Sequence, residues 1–584
     1  MAFEENIDLR ELVRKIALLN AVKHDGKAQT GPVFGKILGE KPEYRIKIKE
    51  VSTLINEVVN EVNNLSLDEQ MRIVTEEWPE TLVKEKAEGE KHLPPLPNAD
   101  DYLQVVTRYA PNPDCVLHLG SARAIVLCYE YARMYRGKFI LRFEDTDPKL
   151  KRPVLEFYDL IRDDLTWLGC KADEEYIQSD RISIYYEYTE KLLKDGNAYI
   201  CTCQPQESRR KILASEPCRC RDCPPKEHLA KWQCMLEGGY KEGEAVVRVK
   251  TDLNHPNPAV RDWPALRIID TEKYPHPRVG SKYKVWPLYN LAAGIDDHLM
   301  GVTHVIRGKE HLTNQVRQEY MYKHLGWKYP EAIHYGRLKI TGAYLSKSKI
   351  VQGIREGLFT DWDDPRLATF AAFRRRGITP EAIKKMIIDV GPKTSDVVLS
   401  WENLYDYNRK ILDPIADRYF FVQNPVELTV NQIPRMFLAK IQLHPDHPER
   451  GVREYTIHPE GNSSSATFWV SKKDVDASKT GAMLRLMELF NVRIERASAY
   501  SAEAAYVSEF YEEARNVKAQ LIHWVPVGED MPCQVVMPDA TIAEGIAERM
   551  CKRLKPGNVV QFERFGFVRI DKINDKVTAY FSQK

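Results

Sequence analysis

The chain is short of several things that would have narrowed its class at once. It has no apolar run near the ~18 residues a membrane helix needs; the longest clear one, Ala124 to Tyr129, spans six residues. Met1 opens a polar, charged segment with none of the features of a secretory leader. These absences exclude a membrane-spanning helix and point to a cytoplasmic protein. A charge surplus is also missing: 85 Lys and Arg face 84 Asp and Glu, a net charge of +1, so no whole-molecule field selects a polyanionic or cationic partner. Any nucleic-acid contact must come from local patches. One lies between Lys23 and Lys49, where seven basic residues face three acidic ones. No internal repeat or low-complexity segment is present, which excludes solenoids and arrays.

Cysteine is scarce outside one segment. Six of the eleven fall between Cys201 and Cys234, a distribution unlike a disulfide framework and more like a metal site. The spacing reads Cys201-x-Cys203, then Cys218-x-Cys220-x-x-Cys223, with His228 and Cys234 nearby. Closely spaced thiolate pairs suit a closed tetrahedral zinc site, which folds a small segment that lacks a core of its own. Cys201, Cys203, Cys218 and Cys220 are the favoured ligands, with Cys223 as substitute; a degenerate site without zinc is the alternative.

What is present is ample: 584 residues, 43% hydrophobic and 29% charged, enough for about four domains. Residues 1–83 read as helical, with Leu9, Leu12, Val13, Ile16 and Leu19, then Val51, Leu54, Ile55, Val58, Val59 and Val62, at the 3.6-residue period. The stretch 84–100 is charged and prolyl, a linker. Next, "LQVVTRYA" predicts a strand, "LGSARAIVLCYEYARMYRG" a helix closed by Gly137, and "KFILRFE" a second strand. Strand, loop, helix and strand within about 40 residues make a βαβ unit and hence a parallel sheet with a right-handed crossover. Ligands of such sheets gather at the carboxyl ends of the strands, where "PNPDCVLHLGS" (111–121) joins the first strand to the helix. The helix start offers unpaired N–H groups to a phosphate. Further on, "WDDPRLATFAAFRRRG" predicts a helix from Asp-Asp-Pro to Gly377. Beyond residue 411 short β-runs dominate, including a hairpin around Asn574-Asp575, and predict antiparallel barrels. The aromatics there, Tyr419, Phe420, Phe421 and Trp524 among them, suit a core better than a surface.

Four stretches in order, "TRYAPNPDCVLHLGSARA" (107–124), "KFILRFEDTDPK" (138–149), "YNLAAGIDDHLMGVTHVIRGKEH" (289–311) and "YLSKSK" (344–349), resemble the class I aminoacyl-tRNA synthetases, and more closely their archaeal-type glutamyl branch. The first and last match the two ATP-site signatures of that class, with Ser121 in place of the second histidine of the first. "WDDPRLATFAAFRRRGITPEAI" and Leu399 to Pro414 extend the likeness over essentially all of 100–584. The resemblance implies a multidomain α/β protein: a Rossmann-type catalytic domain over 101–196 and 285–352, an acceptor-end-binding insert with a zinc site over 197–284, a helical connecting domain over 353–410, and anticodon-binding β-barrels over 411–584. It implies ATP-dependent ligation of glutamate to tRNA through a glutamyl-adenylate, with Mg²⁺ accompanying ATP and one structural Zn²⁺ in the insert.

The implied nucleotide contacts are Pro111, His118, Gly120, Ser121, Ser346 and Lys347, of which His118, Ser121 and Lys347 are the catalytic groups. Gly120 lets the nucleotide approach the backbone, and Lys347 neutralises the departing pyrophosphate. Arg108 is implied to face the substrate's γ-carboxylate with its bidentate fork, Glu144 to hold the α-ammonium, Tyr289 to line the pocket, and Arg307 to reach the other polar groups. Two alternatives stay open: a glutaminyl enzyme, or a non-catalytic tRNA-binding paralogue. Glutamate tRNA is the implied partner, and glutamine tRNA a second candidate. Residues 18–45 resemble the helical tRNA-binding appendage of some glutaminyl enzymes and of tRNA-dependent amidotransferase subunits; docking of a protein partner through 1–83 is the competing reading.

Overall fold

The computed structural model describes residues 2–23, 26–40, 48–78, 92–343, 347–498 and 500–584. They fall into two compact units, Met1–His92 and Leu93–Lys584. In the first, helices Ala2–Lys23, Thr30–Glu40, Ile48–Asn63 and Leu67–Glu77 bury one face each. Leu9, Val13 and Ile16 pack with Val51, Ile55, Val58 and Val62, the positions that the helical period singles out. Ser66 and Glu69 form a capping box that starts the last helix. Part of the basic stretch 23–49, at residues 24–25 and 41–47, lies outside the described residues, as do residues 79–91, which include the first part of the linker.

The second unit opens with three parallel strands. Val106–Tyr109 pairs with Lys138–Phe143, which pairs in turn with Glu174–Ile177. On the other side of the first strand lies His304–Gly308, joined through Thr303, whose N–H donates to the Val106 carbonyl at 3.0 Å and whose Oγ1 accepts from the Val106 N–H at 2.8 Å. That strand pairs in parallel with Glu331–Tyr335. Chain order therefore reverses beside Val106–Tyr109, and a crevice opens at the strands' carboxyl ends. Helix Leu119–Met134 crosses back over the sheet, and Thr107 Oγ1 donates to the Cys128 carbonyl to hold it there. The close of this helix differs from the expected glycine cap. Arg136, at φ 51°, takes the left-handed position. Gly137 has a steric duty instead, since a Cβ there would lie 2.0 Å from the Val105 carbonyl oxygen.

Between the halves of the parallel sheet sits a four-stranded antiparallel one: Ala198–Cys201, Val246–Val249, Pro264–Ile268 and Val285–Pro287. Trp232, Trp263 and Trp286 fill its core. Its fourth strand runs past residue 284, where the sequence suggests the insert ends.

In the helical region the start predicted at Asp-Asp-Pro is displaced. The helix is Phe370–Arg376, with Thr369 as N-cap and Gly377 at φ 80° beyond its end. Asp364 is diverted into a preceding turn, where it accepts from the backbone of Thr360 and from Arg366. Thr379 caps Pro380–Val390, and Ser400 with Asn403 boxes the start of Trp401–Leu412.

Two seven-stranded sheets complete the unit, one inserted in the other. Seven strands between 425 and 526 form one, with Phe437–Gln442 and Val452–Ile457 pairing apart from it as a two-stranded sheet; strands at 418–423 and 530–583 form the second. The edge strands of the outer sheet, Arg418–Tyr419 and Phe421–Gln423, are separated by Phe420 alone, so the sheet curls until its edges meet. The hairpin Gly566–Ile573 with Val577–Gln583 is antiparallel. The sheets are nevertheless mixed rather than purely antiparallel: 530–536 runs parallel to 577–583, and 425–431 to 501–508. Tyr419, Phe420, Phe421 and Trp524 are all buried.

Candidate active site and thiol cluster

Three of the implied substrate residues stand at carboxyl ends of adjacent strands: Arg108 on the first, Glu144 just after Phe143 of the second, and Arg307 before Gly308 of the strand on the other flank. Tyr289 opens helix Tyr289–Leu299 against them. The nucleotide loop and Glu144 share a backbone tie, as the Glu144 N–H donates to the Pro111 carbonyl at 2.9 Å. Pro111 is thus a fixed point between the two parts of the site.

His118 is the N-cap of helix Leu119–Met134, and its Nδ1 accepts from the Gly120 N–H at 3.0 Å. Burial pushes its pKa down. A neutral imidazole that accepts at Nδ1 carries its proton on Nε2, which is left as a donor. Gly120 serves this arrangement directly. A Cβ on it would meet His118 Cε1 at 2.7 Å and Nδ1 at 2.9 Å, so its first task is to admit the histidine ring. Ser121 lies in the first helical turn, its N–H donating to the His118 carbonyl at 2.8 Å. Its hydroxyl hydrogen-bonds the Tyr109 phenol, which partly offsets the burial that raises the Tyr109 pKa. Lys347 begins helix Lys347–Arg355, with Nζ 2.8 Å from Asp114 Oδ2 of the nucleotide loop. Ser346 lies outside the described residues.

Behind the substrate residues is a buried ion network. Arg108 is forked onto Asp297, with Nε donating to Oδ1 at 2.9 Å and Nη2 to Oδ2 at 3.3 Å. Arg142 joins the same carboxylate at 2.7 Å and gives its other arm to Glu144 at 2.9 Å. Asp296 takes Arg181 at 2.8 Å, Tyr185 at 2.7 Å and Gln178 at 3.0 Å. Against burial, the two guanidinium groups hold the Asp297 pKa down at about 2, while burial raises that of Glu144 despite Arg142 beside it. Arg307 is different. It donates to the Tyr289 hydroxyl at 3.4 Å, to Gln318 Oε1 at 3.1 Å and to the Tyr329 hydroxyl at 2.9 Å, all uncharged. Its Nε has no hydrogen-bond partner, and among the described residues no carboxylate lies within ion-pair distance of it. Burial lowers the His311 pKa to about 4, so this neighbour adds no charge. Arg108, Arg142 and Arg181 thus have carboxylate partners in Asp297, Glu144 and Asp296, whereas Arg307 beside them has neutral partners alone.

The structure brings Arg108, Glu144, Tyr289 and Arg307 together, and places Pro111, His118, Gly120 and Ser121 on the adjoining loop. Residues that the sequence reading left out are Asp296, Asp297 and Arg142, along with the neutral partners of Arg307. A signal for them exists: "GIDDH" inside an apolar helix and Arg142 inside "KFILRF" are charges with nowhere to go but to each other.

In the inserted sheet, the Sγ atoms of Cys201, Cys203, Cys218 and Cys220 all lie within 4.8 Å of one another. Cys201–Cys218 and Cys203–Cys220 are both 3.8 Å apart. Zinc–sulfur bonds of about 2.3 Å in a tetrahedron give sulfur–sulfur edges of about 3.8 Å, so the four thiols fit that ion. Cys223 does not substitute for any of them: it is partly exposed, its Sγ turned to the Arg219 carbonyl. His228 Nδ1 is occupied by the Ile200 N–H. All eleven cysteines are free thiols.

A parallel sheet with its crevice at a reversal of strand order, a helix capped by His118 at that crevice and a lysine-led second helix are the features of a class I synthetase catalytic domain. The chain belongs to the class I tRNA synthetases of the E and Q type. The family model described as "tRNA synthetases class I (E and Q), catalytic domain" matches residues 104–414, and two models for the anti-codon binding domain of the same family match 416–508 and 521–571. The glutamate–tRNA ligase of Pyrococcus abyssi is 54% identical over 99% of this chain and 100% of its own length. That of Pyrococcus furiosus is 53% identical with the same coverage, and that of Hyperthermus butylicus 47% identical over 95% of this chain and 97% of its own. Among solved structures, a glutamate tRNA ligase from Elizabethkingia meningosepticum in complex with its amino acid is 25% identical, with a TM-score of 0.40 over 54% of this chain and 70% of that one. No helix among the described residues is long and apolar enough to cross a membrane.

The Gly120 geometry yields an expected outcome. Gly120→Ala should push the His118 ring from its cap and lower the rate of ATP-dependent activation by roughly 10²-fold through lost positioning. Circular dichroism and the thermal midpoint should change little, which separates loss of the site from loss of the fold.

Proposed function

We propose that the chain is a glutamate–tRNA ligase. ATP and glutamate meet at the carboxyl ends of the strands, an oxygen of the α-carboxylate attacks the α-phosphorus, and pyrophosphate leaves to give glutamyl-adenylate. A hydroxyl of the terminal tRNA ribose then attacks the acyl carbon and AMP departs. Such a reaction needs positioned charge more than covalent help from the enzyme. In this reading His118 donates through Nε2 to the triphosphate and Lys347 takes up charge on the departing pyrophosphate; the first N–H groups of the helix are already given to Ala368, His118 Nδ1 and the His118 carbonyl, so the helix start acts on the phosphates through its dipole rather than through unpaired donors. Magnesium enters with the nucleotide, carried on its phosphates.

The observation that carries the choice of amino acid is the single uncompensated charge of the buried network. Glutamate brings two carboxylates and one ammonium, a net charge of −1 that closes the balance; glutamine is a net-neutral zwitterion that leaves a guanidinium buried without a counter-charge. This shifts weight from Arg108, whose charge Asp297 already answers, to Arg307 as the free cation for the γ-carboxylate. Glu144 and Tyr289 line the same pocket, with Glu144 taking the ammonium. tRNA is the macromolecular partner, its anticodon read by the curled sheets and its acceptor end met by the insert. Zinc is proposed in the four-thiol cluster as a structural ion. The helical region 1–83 is read as an RNA-binding appendage, with a protein partner as the competing reading, and the free thiols suit a cytoplasmic enzyme.

Parallel aminoacylation of purified glutamate and glutamine tRNAs, each with labelled glutamate and labelled glutamine, tests the assignment. Glutamate attached to at least the glutamate tRNA, with glutamine rejected, is the expected result; glutamine attached in preference would replace it with the glutaminyl reading. For the metal, elemental analysis should find about one zinc per chain, falling to near zero in Cys218→Ser/Cys220→Ser. The variant should lose transfer to tRNA far more than ATP-dependent activation, because the thiols lie in the insert and away from the nucleotide loop.

A further inference from the structure

Asp114 has a place that the reaction as described leaves unused. It lies four residues before His118 on the nucleotide loop, and its carboxylate meets Lys347 Nζ at 2.8 Å. The loop is held just before it, where the Pro113 carbonyl accepts from Val154 N–H at 2.9 Å and the Asp114 N–H donates to the Asn112 carbonyl at 2.9 Å, and again at Leu117, whose carbonyl accepts from Phe370 N–H at 3.1 Å. Asp114 is therefore a fixed anion rather than a wandering surface group. Lys347, by contrast, is 44% exposed and stands at the first position of helix Lys347–Arg355. A cation is unfavourable at the positive end of a helix, so this lysine gains from an anion placed across from it. Both Asp114 and a triphosphate answer that need, and they compete for the same ammonium.

We infer that Asp114 is a positioning residue for the nucleotide step. It holds Lys347 against the nucleotide loop, and the phosphate chain of ATP must draw the lysine away from it. This rests on the reading of the loop as an ATP site. The consequence is a ground-state cost: part of the attraction between Lys347 and the phosphates is spent on breaking the pair with Asp114, so ATP binds more weakly than the lysine alone would allow. In exchange, the ammonium is delivered to the loop that carries His118 rather than left among solvent positions. Once pyrophosphate leaves, the same carboxylate is there to receive the lysine again.

The test is direct ATP binding by isothermal titration calorimetry to the full-length protein, with Mg²⁺ present, for the parent, Asp114→Asn, Asp114→Glu, Lys347→Met and the double variant. An exposed ion pair of this kind corresponds to about a two- to fivefold effect. Asp114→Asn should tighten ATP binding by that factor, and Asp114→Glu should stay near the parent. In the Lys347→Met background the gain from Asp114→Asn should vanish, because the carboxylate acts through the lysine. Unchanged or weaker ATP binding by Asp114→Asn overturns the inference, as does an equal gain with and without Lys347. The parent's charging of tRNA with glutamate is measured alongside. Its failure would count against the ligase reading itself, whereas the binding series judges Asp114 alone.

Discussion

The forked pair between Arg108 and Asp297, with Arg142 on the same carboxylate, is the constraint around which the rest of the catalytic region is arranged. Both partners are almost wholly buried. A charge in such a place persists only when paired and hydrogen-bonded, and breaking one arm costs about 3–5 kcal/mol. The pair reaches from the first strand of the parallel sheet to the helix Tyr289–Leu299, nearly 190 residues on in the chain. It therefore locks together the two halves of the nucleotide fold on either side of the inserted sheet. Arg142 extends the lock to the second strand and, through Glu144, to the edge of the substrate pocket.

Function follows from what the lock leaves over. Because Asp297 answers Arg108, and Asp296 answers Arg181, the pocket's residual charge falls on Arg307, held by phenol and amide groups that orient it without neutralising it. In the proposed reading, an amino acid with one net negative charge completes the set. The nucleotide side is built on a separate economy of space. His118 caps its helix, a glycine two residues on makes room for the ring, and the Pro111 carbonyl carries the loop's position over to Glu144. In the proposed reading, the two substrates are placed by elements that share one backbone hydrogen bond.

Much of this was legible in the residues. The βαβ unit, the amphipathic helices around Val13 and Val58, and the hairpin at Asn574-Asp575 follow from period and turn chemistry, which are local. The four thiols of the insert were readable from spacing, although only three-dimensional placement separates Cys220 from Cys223. What was hidden is what depends on distant partners. Gly137 looks like a helix cap, yet its duty is set by the Val105 carbonyl of a neighbouring strand. Asp363-Asp364-Pro365 looks like a helix start, but Arg366 and Thr360 claim Asp364 first. Arg108 looks like a free cation until Asp297 is placed against it. The parallel pairs within the C-terminal sheets are likewise non-local, since each joins strands separated by tens of residues.

The central claim is that Arg307 supplies the one uncompensated charge by which glutamate is chosen over glutamine. The most direct measurement is the ratio of kcat/KM for the two amino acids in tRNA charging, in the parent and in Arg307→Gln. Removing the cation from a buried pair of this kind should reduce the preference for glutamate by roughly 10²-fold, with glutamine affected far less. A ratio that does not change, with both amino acids losing equally, would show that Arg307 serves groups the two substrates share and would contradict the account.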